Sequence, residues 1–97
     1  MFTRETIINK LKEVKPILQE KYSVTELALF GSYARNEQTP NSDIDVMIDM
    51  SDKSYKNFLK SIEIVESIFP GKEVQVVSRG AIKPLYFEHL KPDLIYA

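Results

Sequence analysis

The sequence predicts an α+β fold, in which a small mixed β-sheet carries helices packed against one face. Three observations support this class. Apolar residues recur at helical spacing in residues 3–22 and again around residues 58–69, a pattern typical of amphipathic helices. Short apolar runs rich in β-branched residues occupy residues 24–30, 44–49 and 73–78, and such runs indicate strands. A long helix joins the second strand to the third, whereas a loop joins the first two.

The first predicted helix begins at Thr3, a favourable N-cap residue, and Glu5 adds a negative charge to its first turn. Its apolar stripe consists of Ile7, Ile8, Leu11, Val14, Ile17, Leu18 and Tyr22. Pro16 lies within this stripe, and a proline inside a helix removes one backbone hydrogen bond and crowds the preceding turn. The sequence therefore predicts either one kinked helix or a helix that restarts with Pro16 in its first turn.

The three strands are read from their local patterns. The first, VTELALF, leads into Gly31, which permits a sharp turn. A short helical turn is expected at residues 32–35 and a polar loop at residues 36–41. The second strand, IDVMID, alternates apolar and more polar residues with a period of two. The third strand is EVQVVS, at residues 73–78.

The second long helix is predicted to be capped by Ser51 or Asp52 and to end at Pro70 and Gly71. Its broad apolar face consists of Phe58, Leu59, Ile62, Ile64, Val65, Ile68 and Phe69. We expect Tyr55, Phe58 and Leu59 to belong to the core rather than to a platform that stacks on a base.

A last short helix is predicted at residues 83–90, after a turn at Arg79 and Gly80. Its apolar residues face either the core or a partner: Leu85, Tyr86, Phe87 and Leu90. His89 is expected on the helix surface, because a zinc site of the usual kind needs further His or Cys ligands. Residues 93–97 have no predicted structure.

Length and composition limit the function. The chain has 97 residues, so we expect a single domain spanning residues 1–97. A net charge of −1 argues against stable direct binding of nucleic acid and against a polybasic membrane anchor. The absence of cysteine excludes disulfides, thiolate zinc sites and a cysteine nucleophile. Neither a membrane span nor a signal peptide is predicted, so we expect a cytoplasmic protein.

Two acids, Asp43 and Asp45, stand one residue apart at the start of the second strand. Residues two apart on a strand point to the same side, with Cα atoms roughly 6.5–7 Å apart. Two carboxylates held at ~5 Å repel by about 3 kcal/mol at an effective dielectric constant of 20. A hard cation, Mg²⁺ or Mn²⁺, would turn this repulsion into binding energy. The spacing alone is equally compatible with two acids on an exposed strand face.

The Gly31-Ser32 pair comes directly after the first strand. Backbone N–H groups in such a turn converge on an anion, and a serine hydroxyl adds a donor. Combined with Asp-x-Asp on the next strand, this turn supplies both parts needed for a nucleoside triphosphate. One part holds the phosphates, and the other holds the metal that bridges them.

The segment GSYAR at residues 31–35, followed by SDID at residues 42–45, resembles the signature of the minimal nucleotidyltransferases of the DNA polymerase beta-like superfamily. The order of elements agrees over nearly the whole chain, so the resemblance implies a polymerase-beta-like nucleotidyltransferase fold. Many members of this family are encoded beside a small helical HEPN-type protein and act in such pairs as the antitoxin, in some cases by transferring AMP to a tyrosine of the toxin. The resemblance therefore implies Mg²⁺ or Mn²⁺, ATP or another triphosphate as substrate, and a HEPN-type partner. A homo-oligomer is left open.

The resemblance also implies a role for each matching residue. Asp43 and Asp45 would be the catalytic, metal-holding acids. Gly31, Ser32, Arg35 and Ser42 would belong to the nucleotide site. Arg35 either touches phosphate or acceptor, or braces the turn by pairing with an acid such as Asp43. Ser42 either caps the strand locally or bonds to the site, and Tyr33 is expected at the surface or at an interface.

Two positions depart from the family pattern. The third carboxylate of the family falls on Gln75, which cannot accept a proton, so transfer is expected to be weak or absent. Glu73 would substitute only if the strand slid or bulged, because two residues along a strand displace a side chain by ~6–7 Å. The rival function is therefore a non-catalytic module that neutralises its partner by binding. Asn36 stands where the family has Gly and tolerates the left-handed backbone that this turn needs.

Overall fold

The chain folds around a four-stranded mixed sheet with the strand order β3-β2-β1-β4. The computed structural model describes residues 2–97. Strand β1 is antiparallel to both β2 and β4, whereas β2 and β3 are parallel. In chain order the elements are α1 (Arg4–Tyr22), β1 (Val24–Phe30), β2 (Ile44–Met50), α2 (Tyr55–Ser67), β3 (Val74–Ser78), α3 (Pro84–Leu90) and β4 (Ile95–Tyr96), with 3₁₀ turns at Arg79–Ala81 and Lys91–Asp93. The predicted α+β class is confirmed.

Helix α1 runs without interruption through Pro16, so the prediction of a restarted helix is wrong. Thr3 caps it as predicted: the Thr3 hydroxyl accepts from the Thr6 N–H at 3.2 Å, and the Thr6 hydroxyl accepts from the Thr3 N–H at 2.8 Å. The helix ends at Ser23, whose left-handed backbone (φ 57°) lets its N–H donate to the Leu18 carbonyl. Both ends are therefore satisfied by local bonds.

The two faces of the sheet carry different layers. On one face, Leu27, Leu29, Val46 and Ile48 join α1 and α2 in the main core. On the other face lies a smaller cluster of Ala28, Phe30, Met47 and Leu90, with Val77, Ile82, Phe87 and Leu94 packed against it. The prediction of helices on one face therefore holds for α1 and α2, and the short helix α3 lies on the opposite face. Because β3 and β4 are at opposite edges, the chain between them must cross that face.

Helix α2 begins two or three residues later than predicted. Ser54, rather than Ser51 or Asp52, is its N-cap, and the Ser54 hydroxyl accepts from the Asn57 N–H at 3.2 Å. Phe58 packs against the core, but Tyr55 is 76% exposed and Leu59 42% exposed, so the core prediction is wrong for these two. At 100° per residue they lie on the flank of the helix, outside the buried face centred on Ser61 and Val65.

The C-terminal residues, for which the sequence predicts no structure, form a 3₁₀ turn and β4. The Ala97 N–H donates to the Leu27 carbonyl at 2.8 Å, and Lys15 Nζ donates to the Ala97 carbonyl at 2.6 Å. Two residues of β4 suffice to pair with β1. Among the helices described in residues 2–97, we find none whose length and hydropathy would let it cross a bilayer.

Candidate active site

The turn after β1 is closed by three backbone hydrogen bonds. The Arg35 N–H donates to the Gly31 carbonyl at 3.1 Å, the Asn36 N–H to Tyr33 at 3.2 Å, and the Glu37 N–H to Ser32 at 2.8 Å. Gly31 has φ +80° and Asn36 has φ +61°, so Asn36 takes the predicted left-handed conformation. A Cβ on Gly31 would overlap the Asp45 carboxylate. Glycine is therefore required both for the backbone angle and for the approach of Asp45.

Tyr33 anchors this turn by packing into the main core. The prediction that it lies at the surface is wrong, because Tyr33 is only 4% exposed and belongs to the main core. The helical turn directs Tyr33 and Ala34 back under the sheet end, where Lys72 Nζ lies 5.5 Å from the centre of the Tyr33 ring. The geometry of the Gly31-Ser32 turn is thus tied to the packing of the core.

Asp45 lies near the start of β2, which is one of the two inner strands of the sheet. Its register partners are Phe30 on β1 and Gln75 on β3, and its side chain projects on the face opposite α1 and α2. Asp43, two residues earlier, lines the same cavity as predicted. Burial raises the pKa of Asp45, the charge of Asp43 raises it further, and Arg35 opposes the shift. The two carboxylates therefore repel each other here.

Gln75 completes the group as predicted from its position. Its amide Nε2 donates to Asp43 Oδ2 at 3.3 Å. Rotation of the amide would present Oε1 to the same space, so this side chain offers either a donor or a neutral oxygen ligand. Glu73 precedes β3, where its carbonyl accepts from the Ile44 N–H at 3.0 Å. It is not among the residues that line the cavity.

Arg35 braces the turn by pairing with acids, but Asp43 is not one of them. Its Nε donates to Glu37 at 2.8 Å and its Nη1 to Asp93 at 2.9 Å, and these two hydrogen bonds raise the pKa of Arg35. Ser42 acts as a local cap, because its hydroxyl accepts from the Thr39 N–H at 2.8 Å. Both side chains still line the cavity.

A cavity of about 550 Å³ collects these groups. Its polar wall is formed by Gly31, Ser32, Arg35, Ser42, Asp43, Asp45 and Gln75, and its other wall by Phe30, Val77, Ile82, Tyr86, His89, Leu90 and Asp93. The sequence did not predict the second wall. Tyr86, His89 and Asp93 are about one and two helical turns apart, a spacing that places side chains on one face of a helix. Only the sheet topology shows that the segment carrying them lies over Asp43 and Asp45.

The comparisons with known proteins agree with this geometry. A family model described as "Nucleotidyltransferase domain" matches residues 11–95. The chain belongs to this nucleotidyltransferase family. The resemblance seen in the GSYAR and SDID segments is therefore confirmed.

Several relatives resemble this nucleotidyltransferase over nearly its whole length. Two proteins of Methanocaldococcus jannaschii, "Putative protein adenylyltransferase MJ1379" and "Putative protein adenylyltransferase MJ0128", are 38% and 42% identical and cover 99% of each chain. "Protein adenylyltransferase MntA" of Thermococcus cleftensis is 30% identical over 99% of this chain and 97% of its own. The family assignment thus extends over both motifs.

Two solved structures share the fold. One is a toxin–antitoxin crystal structure with AMP-PNP, which has a TM-score of 0.55 and 18% identity and covers 98% of this chain and 72% of that chain. The structure of a "putative nucleotidyltransferase from Sulfolobus solfataricus" has a TM-score of 0.53 and 18% identity and covers 96% of this chain and 80% of its own. At this identity the likeness establishes the α+β fold of nucleotidyltransferases and nothing more specific.

The donor set of this nucleotidyltransferase fits a hard divalent cation. Within residues 2–97 no cluster contains three His, Cys, Asp or Glu side chains, because Gln75 stands beside the two acids. Asp43 and Asp45 together with the Gln75 amide oxygen form an all-oxygen set, which Mg²⁺ and Mn²⁺ prefer. Burial first and the charge of Asp43 second raise the pKa of Asp45, and a cation held by the two carboxylates would offset both of these costs.

Proposed function

We propose that this protein transfers AMP from ATP to a hydroxyl of a partner protein, and that it acts as the antitoxin of a HEPN-type toxin. One observation carries the proposal: Asp43 and Asp45 face the Gly31-Ser32 turn across a single cavity. The names of its relatives, which are protein adenylyltransferases, support AMP and a protein acceptor. Two structures of the same fold come from toxin–antitoxin complexes, one of them with AMP-PNP. The cytoplasm, which contains ATP and Mg²⁺, is the compartment that suits this function.

Each residue of the polar wall has a defined part in the proposed reaction. Asp43 and Asp45 would hold Mg²⁺ or Mn²⁺, which when bound neutralises charge on the triphosphate. The backbone of Gly31 and the hydroxyl of Ser32 would donate to phosphate oxygens. Arg35 and Ser42 would complete the nucleotide site at its rim. The acceptor oxygen would form a bond to the α-phosphorus and its proton would pass to water, while the bond from the α-phosphorus to the α–β bridging oxygen would break and pyrophosphate would leave.

Gln75 limits this reaction. Loss of a positioned general base typically costs 10²–10⁴-fold in rate, and an amide cannot take the proton of the acceptor hydroxyl. The same residue supports a second function, that of a binding module. Its hydrogen bond to Asp43 gives the two acids a neutral neighbour, an arrangement that is compatible with a protein that has no catalytic activity. In this alternative the protein neutralises its partner by complex formation alone.

A labelling experiment separates the two functions. The protein is incubated with MgCl₂, ATP labelled at the α-phosphate and the purified product of the adjacent gene. We expect label on that product, no label when ATP carries it at the γ-phosphate, and loss of transfer in Asp43→Ala. Asp52→Ala, at an exposed acid outside the cavity, is the matched control and should transfer normally.

The opposite result identifies the binding module. In that case no label appears, and the complex with the partner persists in Asp43→Ala. Transfer that survives in Asp43→Ala would contradict the role of Asp43 as a metal ligand in this reaction. Calorimetry with Mn²⁺ and ATP tests the site without transfer, because nucleotide uptake should also require Asp43 and Asp45.

A further inference from the structure

Strand β3 has a free edge. It is an end strand of the sheet, and within residues 2–97 no strand pairs with its outer side. The Ile44 N–H donates to the Glu73 carbonyl, and the parallel register then directs the backbone groups of Gln75 and Val77 towards β2. The N–H and C=O groups of Val74, Val76 and Ser78 consequently point outwards. Such an edge is a ready template for another strand.

An apolar groove of about 580 Å³ runs beside this edge. It is lined by Phe58, Val76, Val77, Ser78, Ala81, Ile82, Lys83 and Tyr86. Of the six large hydrophobic residues that are exposed among residues 2–97, four lie on the two helices that flank the groove: Tyr55, Leu59, Leu85 and Tyr86. On α2, rotations of 100° per residue place Tyr55 about 60° and Leu59 about 100° from Phe58, towards the solvent side of the helix. The groove and its margin thus form an apolar surface around an unpaired strand.

The groove is continuous with the candidate active site. Val77, Ile82 and Tyr86 line both the groove and the catalytic cavity. Gln75 lies on β3 between the Asp45 position on β2 and the free edge. A segment seated in the groove therefore passes directly beside the acids.

We propose that an extended segment of the acceptor protein pairs with the free edge of β3 and lies in this groove. The inference rests on the proposed function and specifies how its protein acceptor docks. Neighbouring strands are ~4.8 Å apart, so an added strand would run roughly 9.5 Å from the strand of Asp45. On the face of Asp45 and Gln75, a long hydroxyl side chain of the added strand would cover more of this gap than a short one.

The chemistry of the groove defines the segment that it takes. Main-chain bonds to Val74, Val76 and Ser78 supply affinity, and alternate side chains on one face enter the apolar groove. Lys83 is the charged side chain among the groove residues, so an acidic residue at that end of the segment is favoured. A partner that is helical elsewhere would contribute a terminal tail or a linker.

Amide hydrogen exchange tests the backbone pairing. The probe is the purified product of the adjacent gene, added in excess to the full chain. We expect new protection at the amides of Val74, Val76 and Ser78, while Gln75 and Val77 are protected before and after addition. A partner that binds without protecting the outward amides has docked a helix or used another surface, and overturns the proposal. Failure of this partner to bind overturns it as well.

The same experiment identifies a second copy of this chain as occupant. Protection of the three outward amides that rises with protein concentration, without partner, would assign the edge to self-association. That outcome also overturns the proposal. Concentration-independent, fast exchange in the isolated protein is the expected result.

Leu59 and Ile17 give a matched pair of variants, because both are exposed aliphatic residues on long helices. Leu59, which follows the groove residue Phe58 on α2, is 42% exposed, and Ile17 on α1 is 41% exposed. We expect Leu59→Asp to weaken partner binding at least tenfold and Ile17→Asp to change it less than twofold. Ala81→Glu, within the groove itself, should match Leu59→Asp. Equal binding by all three variants would refute the docking site.

A separate readout distinguishes failure of docking from failure of the proposed function. Leu59 and Ala81 do not line the catalytic cavity, so both variants should take up Mn²⁺ and ATP as the wild type does. If the wild type takes up no nucleotide, the proposed transfer fails, but the exchange and binding measurements still decide where the partner docks. If nucleotide uptake is normal and the Leu59→Asp and Ala81→Glu variants bind the partner as tightly as the wild type does, only the docking proposal fails.

Discussion

Replacement of Gly31 by alanine tests how tightly the nucleotide turn is fitted to Asp45. Gly31 has φ +80°, and an added Cβ would overlap the Asp45 carboxylate. The left-handed backbone costs an alanine about 1–2 kcal/mol, and forcing extra volume into a packed site typically costs 1–3 kcal/mol more. We therefore expect Gly31→Ala to lower the free energy of unfolding by roughly 2–5 kcal/mol.

Gly71 provides the matched control. It has φ +77°, and a Cβ there would meet nothing within 4 Å. Gly71→Ala should therefore lose only the backbone term, about 1–2 kcal/mol. Urea denaturation followed by circular dichroism measures both variants, and an unchanged slope would show that the unfolded state is unaffected.

A double mutant assigns the difference to Asp45. Asp45→Ala removes the carboxylate that the new Cβ would overlap, so Gly31→Ala should be less costly in that background. We expect a coupling free energy of about 1–3 kcal/mol in the favourable direction. If Gly31→Ala and Gly71→Ala destabilise equally, or if no coupling is found, the close approach of the turn to Asp45 is not what requires glycine.

Three further predictions concern the same site. Gln75→Asp should raise AMP transfer by about 10²-fold or more, measured with α-labelled ATP, because it supplies a general base; an unchanged rate would contradict that role. Because burial and Asp43 raise the pKa of Asp45, the folded state retains this proton to higher pH than the unfolded state. Stability should therefore fall as pH rises from the ordinary aspartate range through the raised value, and this slope should be lost in Asp45→Asn. Tyr33→Ala should cost about 3 kcal/mol of stability, and Tyr33→Phe much less; a small loss in Tyr33→Ala would contradict its burial.

The strand patterns explain why the acidic half of the site could be predicted. A period of two is strictly imposed by backbone geometry, so the alternation in IDVMID places Asp45 opposite the core once Val46 and Ile48 are buried. The same rule places Gln75 beside it, since β2 and β3 are parallel and in register. The position of Asp45 therefore follows from local geometry, whereas that of Gln75 was predicted from the family resemblance and depends on the pairing of β2 with β3.

The other half of the site depends on long-range topology. Residues 84–93 reach the cavity only because the chain must cross from the β3 edge to β4 at the opposite edge, and no local pattern specifies the face that it crosses. For the same reason His89 and Asp93 were not assigned to the cavity. Tyr33 was misplaced because a helical turn of four residues has too little periodicity to show which side is buried.

Gln75 links the stability of the site to its chemistry. A carboxylate at this position would add a third negative charge beside Asp43 and Asp45, where burial and the charge of Asp43 already raise the pKa of Asp45. The glutamine instead donates a hydrogen bond to Asp43 and adds no charge. The substitution therefore favours the metal-free fold at the expense of a proton acceptor. A chain that acts mainly by binding its partner gains from this exchange, whereas an efficient transferase loses by it, so the Gln75→Asp variant should be the less stable protein without metal and the faster one with it.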